Sequence, residues 1–230
     1  MARLPLSTAL RIAPQEARNR ATAAVLRARR RGPFELEGVA YPYLFHHYNA
    51  TWRNERTVEV PIAAAALSRH ARGKVLEVGN VLANYVPAHA LPADRTVIDK
   101  YEQAPGVSNV DVVEHEPAAP YELIVSLSTI EHVGQDEEPC EPGKALRALE
   151  LMHSWLAPGG ELLVTVPLGH NPALDEALLG EDPPFARLGF MRRLDARNVW
   201  AQASGEEVRG ARYGSPFPFG NAIAVGRSSG

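Results

Sequence analysis

The 230-residue sequence contains a single cysteine, Cys140, which excludes an internal disulfide and a cysteine-based metal cluster. Scarce cysteine agrees with a reducing compartment, and we expect a cytoplasmic protein. No apolar run is long enough to span a bilayer, and Arg11 interrupts the one early apolar run that could form a secretory signal. Internal repeats and low-complexity segments are also lacking. The sequence therefore indicates an ordinary globular protein.

Neither sign of charge is in large excess, since 24 basic and 27 acidic residues give a net charge of −3. This balance gives no reason to expect a nucleic acid or an anionic membrane as partner. The distribution is uneven, because residues 1–34 contain eight arginines and one acidic residue, Glu16. We interpret the Arg-rich stretch as a solvated helix, with a transit peptide or a partner-binding arm as alternatives.

The chain divides into two predicted regions. Residues 1–56 comprise a helical arm and an aromatic-rich segment, 41–56, which we expect to form a lid over a cleft. Residues 57–230 carry alternating strand and helix patterns, as a parallel α/β sheet requires. A chain of this length suits one such domain with an appendage.

Seven strands and three helices are predicted in the second region. The strands lie near 74–78, 95–99, 110–113, 121–127, 161–166, 188–194 and 222–225. The helices span roughly 57–71, with Pro61 at or near the first turn, 143–156, and a short segment opened by Asn171-Pro172. Between the last two strands there is no crossover helix, only a short turn around 196–201, so the final strand should be antiparallel. The predicted fold class is α/β: a doubly wound, mostly parallel seven-stranded sheet with an antiparallel final strand, plus an N-terminal helical arm and lid.

Two strand ends carry the pattern of an adenosine-containing cofactor site. An apolar strand ends in Glu77-Val78-Gly79, and the next strand ends in Asp99, twenty residues after Gly79. A glycine there lets the backbone approach a ligand, and the acid can accept both hydroxyl groups of a ribose. The spacing predicts a cofactor-using enzyme.

Four motifs occur in order along the second region. They are Val75–Gly79, Val97–Asp99, Tyr121–Val133, which includes Glu131-His132-Val133, and Leu156–Val164, which includes Pro158-Gly159-Gly160. Together they resemble class I S-adenosylmethionine-dependent methyltransferases, which have a Rossmann-like fold, over about residues 57–227. The resemblance implies a transferase that uses S-adenosyl-L-methionine to methylate a small-molecule acceptor, at oxygen, with a histidine assisting deprotonation. A homo-oligomer is left open.

The resemblance also implies which residues bind the cofactor. They are Glu77, Gly79, Asn80, Asp99, Asp111, Val112, Ser126 and Leu127. Glu77 and Gly79 would act near the methionine part and Asp99 would hold the ribose. Asp111 and Val112 would contact adenine. The chain departs from the E-x-G-x-G-x-G pattern of the family, because only the first glycine is kept, although Asn80 tolerates a left-handed backbone better than most residues.

His132 and Glu131 are the predicted catalytic residues, with His132 as general base and Glu131 orienting a neighbour or the substrate. His132 could instead order its loop by hydrogen bonding. Tyr48, Trp52 and His170 are candidates for substrate contact. The lid aromatics have a second interpretation, in which they pack the arm against the body, and His170 could equally be a surface histidine.

Three alternatives remain open at this point. A divalent cation could be held by Glu131, His132, Asp136 and Glu137, approached by His46-His47, but no H-x-x-x-H or similar spacing supports it, so no metal is predicted. The missing glycines allow a degenerate, non-catalytic binding protein of the same fold. A nicotinamide-dependent oxidoreductase is the third alternative, and it would have a parallel final strand.

Overall fold

A computed structural model of the chain describes residues 6–29 and 32–230. The arm is a helix, α1 (Leu6–Ala28); the ends of the predicted arm, residues 1–5 and 30–31, lie outside the described residues. A hairpin follows, formed by β1 (Phe34–Leu36) and β2 (Val39–Tyr41). The sequence analysis did not predict this hairpin, whose turn contains Gly38 at a φ of +76°.

The central sheet has eight strands. They are β3 (Val75–Val78), β4 (Arg95–Ile98), β5 (Val107–Ser108), β6 (Tyr121–Leu127), β7 (Leu156–Pro167), β8 (Arg187–Arg193), β9 (Trp200–Ala203) and β10 (Ala222–Ser229). Their spatial order is β5-β4-β3-β6-β7-β10-β8-β9. Strands β3 to β7 are parallel, whereas β10 runs antiparallel to both of its neighbours. The predicted α/β class, with a mostly parallel sheet and a reversed final strand, is confirmed.

Helices cover both faces of the sheet. They are α2 (Arg56–Arg69), α3 (Lys144–Ser154), α4 (Pro172–Leu178) and α5 (Gly205–Val208). Successive strand residues point to opposite faces, so Leu76 joins the core beneath α3 while Val75 joins the core beneath α2. This double burial explains the near-continuous apolar strands. Among the described residues, none of the helices combines the length and apolar character that crossing a membrane requires.

The third parallel strand lies earlier than predicted. The sequence analysis placed it near 110–113, but β5 occupies 107–108 and residues 112–114 form a 3-10 turn. The side chain of Asp111 accepts a hydrogen bond from the Val113 N–H, which caps this turn. A capping aspartate favours a turn over an extended strand, which accounts for the wrong prediction.

The edge strand β9 begins within the last two residues of a predicted turn. Residues 196–201 were expected to form only a short turn, yet β9 begins at Trp200 and pairs with β8. Asn198 takes a positive φ of 61°, so the reversal is confined to the residues before β9. The sheet therefore has one strand more than predicted.

Pro61 lies at the start of the second turn of α2, near the first turn as predicted, because the helix begins at Arg56. Proline has no N–H to donate to the carbonyl four residues earlier, which belongs to Thr57. That carbonyl accepts instead from the Leu44 N–H, at 2.9 Å. The lid segment therefore compensates for the missing helical hydrogen bond.

The carboxylate of Glu59, on α2, is completely buried and connects the helix to two strands. Its Oε1 accepts from the hydroxyls of Ser128 (2.6 Å) and Thr165 (2.7 Å), and its Oε2 accepts from Arg56 (2.7 Å). Three donors satisfy the buried charge, as such a group requires.

Glu59→Ala should lower the free energy of unfolding by roughly 3–5 kcal/mol, because it leaves the Arg56 guanidinium and two hydroxyls without their acceptor. Chemical denaturation monitored by circular dichroism measures the change. Glu141→Ala is the control, since it breaks an exposed pair with Arg147 and should have little effect. Equal stability of the two variants would contradict the assignment.

Candidate functional site

A cavity of about 480 Å³ opens at the carboxyl ends of β3, β4 and β6. This is the edge at which open α/β sheets bind ligands. Its lining residues are Val78, Gly79, Ile98, Asp99, Lys100, Tyr101, Val110, Asp111, Val112, Ser128, Thr129, His132, Val133, Asp136 and Glu137. Of the predicted cofactor and catalytic residues, the cavity brings together Gly79, Asp99, Asp111, Val112 and His132.

Gly79 is required at its position by both backbone conformation and space. Its φ is +87°, in the left-handed region, and a Cβ atom added there would lie 2.2 Å from Oγ1 of Thr129. Its N–H donates to the Ile98 carbonyl at 2.8 Å. The loop after β3 can therefore pass close to Thr129 only with glycine at this position.

The carboxylate of Glu77 faces its own loop, and Glu77 is not among the lining residues. Its Oε1 accepts from the N–H groups of Val81 (2.8 Å) and Leu82 (2.7 Å), and its Oε2 accepts from Arg95 at 2.6 Å. Burial raises the pKa of Glu77, while these hydrogen bonds oppose the rise. The side chain thus fixes the turn that replaces the glycine-rich run.

Asp99 follows β4 directly, and its two carboxylate oxygens differ in their hydrogen bonds. Oδ1 accepts from the N–H groups of Tyr101 (2.9 Å) and Glu102 (2.7 Å). Oδ2 makes no hydrogen bond to any residue that the structure describes. Asn80 lies beside this loop and donates to Glu102 at 2.7 Å, outside the cavity lining. An oriented acceptor oxygen therefore remains at the cavity wall.

Two lysines and two carboxylates meet at another part of the cavity. Nζ of Lys144 donates to Asp111 (2.5 Å) and Glu137 (2.6 Å), and Nζ of Lys100 lies 2.9 Å and 2.8 Å from the same carboxylates. Partial burial would raise the pKa of Asp111, but the two lysines outweigh it and hold that pKa below its ordinary value. Asp111 thus reaches the cavity already paired.

The end of β6 contributes residues two positions later than predicted. Ser126 and Leu127 are buried, and Ser126 donates to the Val78 carbonyl at 3.0 Å. The lining positions are Ser128 and Thr129. Ser128 takes a φ of +40°, unusual for a residue with a side chain, and its hydroxyl is held by Glu59. The buried carboxylate therefore sets the backbone at the cavity.

His132, Asp136 and His170 form a connected cluster at the cavity mouth. Nδ1 of His132 lies 2.5 Å from Oδ2 of Asp136, and Nε2 of His170 lies 3.0 Å from Oδ1. The two imidazole centroids are 4.5 Å apart, and the Tyr213 ring packs edge-on against His170 at 5.6 Å. His170, predicted to contact substrate, does not line the cavity but joins His132 through Asp136.

Glu131 is buried beside His132. Its Oε1 lies 3.6 Å from Nε2 of His132, and its Oε2 has no hydrogen-bond partner among the described residues. Burial raises the pKa of the Glu131 carboxyl well above its ordinary value, and the neighbouring Glu59 carboxylate adds to the rise. Unpaired buried polar atoms are rare in folded proteins.

The lid aromatics predicted to contact substrate lie elsewhere. Tyr48 is exposed and packs edge-on against Tyr85, with ring centroids 5.5 Å apart. Trp52 is half-buried, and neither residue lines the cavity. His46 and His47 pack against each other at 4.4 Å and do not belong to the His132 cluster. The segment also packs against the arm, since Arg27 donates to the Phe45 carbonyl at 3.1 Å.

Several residues of the site were missed in the sequence. Lys100 follows Asp99 directly, a position that should have marked it as a neighbour of the ligand. Lys144 and Glu59 gave no local signal, because each reaches the site from a helix distant in sequence. Asp136 was considered in the sequence only as a possible metal ligand beside His132, and its hydrogen bonds to both His132 and His170 were not predicted.

A scan against protein-family models finds no match, and a search of curated protein sequences finds none either. Solved structures similar to this chain include the N-methyltransferase NodS from Bradyrhizobium japonicum WM9 in complex with S-adenosylhomocysteine. The two chains are 15% identical, with 76% of this chain and 86% of NodS covered and a TM-score of 0.42.

Two further similar structures are also methyltransferases. An rRNA methylase from Streptococcus thermophilus is 13% identical over 74% of this chain and 96% of its own, with a TM-score of 0.44. The 1,6-didemethyltoxoflavin-N1-methyltransferase from Burkholderia thailandensis is 16% identical over 75% of this chain and 78% of its own, with a TM-score of 0.42.

Glu131→Gln should remove a pH-dependent cost to stability. The pKa of the Glu131 carboxyl is higher in the folded chain than in the unfolded chain. At a pH between these two pKa values the folded chain therefore holds an extra proton, and the free energy of unfolding falls as pH rises through that interval. Below the unfolded pKa, the variant and the wild type should have the same free energy of unfolding. At alkaline pH the variant should be the more stable one, by about 1.4 kcal/mol for each unit of pKa difference.

Unfolding measured from about pH 4 to about pH 9 tests this expectation around the reference glutamate pKa. Glu206→Gln, at an exposed side chain, is the control and should show no such trend. A constant difference between Glu131→Gln and the wild type across this range would contradict the raised pKa.

Proposed function

We propose that this chain is an S-adenosylmethionine-dependent methyltransferase that acts on a small molecule, with the cofactor bound in the cavity at the ends of β3, β4 and β6. The observation that carries the proposal is the carboxylate of Asp99, which lines the cavity beside the close turn at Gly79 and whose Oδ2 makes no hydrogen bond to a described residue. A ribose diol offers the donors that such an oxygen accepts.

The residues present fit such a cofactor along the cavity. Asp99 would hold the ribose, Val112 would pack on the adenine ring, and Asp111 would accept from the adenine amino group in competition with Lys100. The Gly79 turn would lie along the methionine part. The volume of about 480 Å³ is within the range of cofactor pockets. When bound, the cofactor supplies an electrophilic methyl group.

His132 is the proposed proton acceptor for an acceptor hydroxyl. The Asp136 carboxylate can only accept hydrogen bonds when ionised, so the proton of a neutral His132 ring lies on Nδ1. Nε2 then has a free lone pair, as in other His-carboxylate pairs that act as bases. This arrangement supports O-methylation in which His132 is the base and Asp136 orients it. The buried Glu131 lies beside Nε2.

The alternatives differ in measurable ways. The antiparallel β10 counts against a nicotinamide-dependent oxidoreductase. A non-catalytic binding protein is favoured by the replacement of the glycine-rich loop with a turn capped by Glu77.

The free, exposed Cys140 supports a reducing, cytoplasmic location.

Titration calorimetry with S-adenosylmethionine and S-adenosylhomocysteine tests the cofactor assignment. Asp99→Ala should weaken binding of both roughly 10- to 100-fold, because a charge-assisted hydrogen bond contributes about 1.5–3 kcal/mol. Asp94→Ala, at the opposite end of β4, is the matched control and should bind as the wild type does. If neither ligand binds the wild type, the enzyme proposal is wrong.

His132→Ala should lower the turnover number by roughly 10²- to 10⁴-fold, the usual contribution of a positioned base. The affinity for S-adenosylhomocysteine should stay nearly constant, because His132 would contact the acceptor. Methyl transfer into a panel of small hydroxyl and amine acceptors provides the measurement. His153→Ala, on the exposed side of α3, is the control. A variant with full rate would exclude His132 as the base.

A further inference from the structure

We propose that His132, Asp136 and His170 form a binding site for a divalent transition-metal ion of the zinc class. One ligand atom from each residue lies within 4.8 Å of the other two. The three residues come from two loops, one after β6 and one after β7, which only the fold brings together. The inference concerns metal binding alone and does not depend on the proposed methyl transfer.

The distances suit an ion after side-chain movements of about 1 Å or less. Zinc bonds of about 2.0–2.2 Å place two ligand atoms of a tetrahedron roughly 3.3–3.6 Å apart. Asp136 lies 2.5 Å from Nδ1 of His132 and 3.0 Å and 3.3 Å from Nε2 of His170. Moving the proton of each neutral imidazole to its other ring nitrogen would remove these hydrogen bonds. To reach the tetrahedral spacing, Asp136 and Nδ1 of His132 would then separate by about 1 Å, and Asp136 and Nε2 of His170 by a few tenths of an ångström.

The two loops are held in place by contacts outside the cluster. The Asn171 side chain donates to the Glu131 carbonyl at 3.0 Å, which joins the His170 loop to the His132 loop. Gly169 adopts a φ of +89°, and its N–H donates to Asp175 at 2.7 Å. Such support orients the ligands before an ion binds, which reduces the cost of assembling the site.

The ligand set determines the class of ion. Two imidazoles and one carboxylate suit zinc and the neighbouring transition metals, whereas magnesium and calcium favour oxygen ligands. Three protein ligands leave at least one coordination position open. Because His132 and Asp136 line the cavity, that position would face it. The bound ion would therefore be accessible to a small ligand.

The metal-bound state differs chemically from the state proposed for proton transfer. When an ion occupies Nδ1 of a neutral His132 ring, the single ring proton is on Nε2. His132 cannot then accept a proton from a substrate. The same three residues thus form either a hydrogen-bonded relay or a metal site, and the relay alone is the competing explanation of the geometry.

Titration of the metal-free full chain with Zn²⁺, and with Co²⁺ as an absorbing probe, distinguishes the two. We expect stoichiometric binding and the visible absorption of a low-symmetry Co²⁺ complex. His170→Ala and His170→Gln should each weaken binding by more than about 100-fold, beyond the 10- to 100-fold effect of changes outside the ligand set. The glutamine variant keeps a donor for Asp136, so a folding defect is avoided.

His47→Ala is the matched control, because His46 and His47 form the neighbouring histidine pair outside the cluster. It should bind the metal as the wild type does. Absence of Zn²⁺ and Co²⁺ binding at millimolar concentration, or equal binding by the wild type and both His170 variants, would overturn the proposal and leave the cluster as a hydrogen-bonded relay.

Discussion

The hydrogen bonds to the buried carboxylate of Glu59 are the interaction on which the site depends. Through them α2 is attached to Ser128, at the exit of β6, and to Thr165, near the carboxyl end of β7. The same contact holds Ser128 at its positive φ, from which the backbone turns toward Thr129 and the cavity. A charge that stabilises the core thus also shapes the ligand-binding edge of the sheet.

Glu77 performs a comparable function on the other side of the cavity. A glycine-rich loop exposes its N–H groups to a ligand, whereas here the N–H groups of Val81 and Leu82 are occupied by the Glu77 carboxylate. Oε2 is neutralised by Arg95, at the start of β4. The Glu77 carboxylate therefore holds the turn after Gly79 without further glycines. Gly79 is the residue at which the loop passes close to Thr129. The side of the cavity lined by Asp99 keeps a free acceptor, while the side lined by Gly79 is built mainly by packing.

The sequence predicted what depends on local pattern. Apolar periodicity identified six of the seven predicted strands close to their observed places, and the positions of Gly79 and Asp99 at strand ends were sufficient to place both at one cavity. The position of β5 could not be obtained in this way, because Asp111 acts as a turn cap. Contacts made through tertiary structure, such as Lys144 with Asp111, left no signal at all.

The edge strand β9 shows why such features escape local reasoning. The Trp200 N–H donates to the hydroxyl of Tyr43 at 2.9 Å, and that hydroxyl donates to the Trp200 carbonyl at 3.1 Å. A side chain from the lid segment thus takes the hydrogen-bonding place of a further strand. The Trp200 backbone groups lie 157 residues from Tyr43 in the sequence. A prediction from local sequence therefore reflects only the turn-forming residues before Trp200. The strand exists because the aromatic segment covers its open edge, which indicates a packing role for Tyr43.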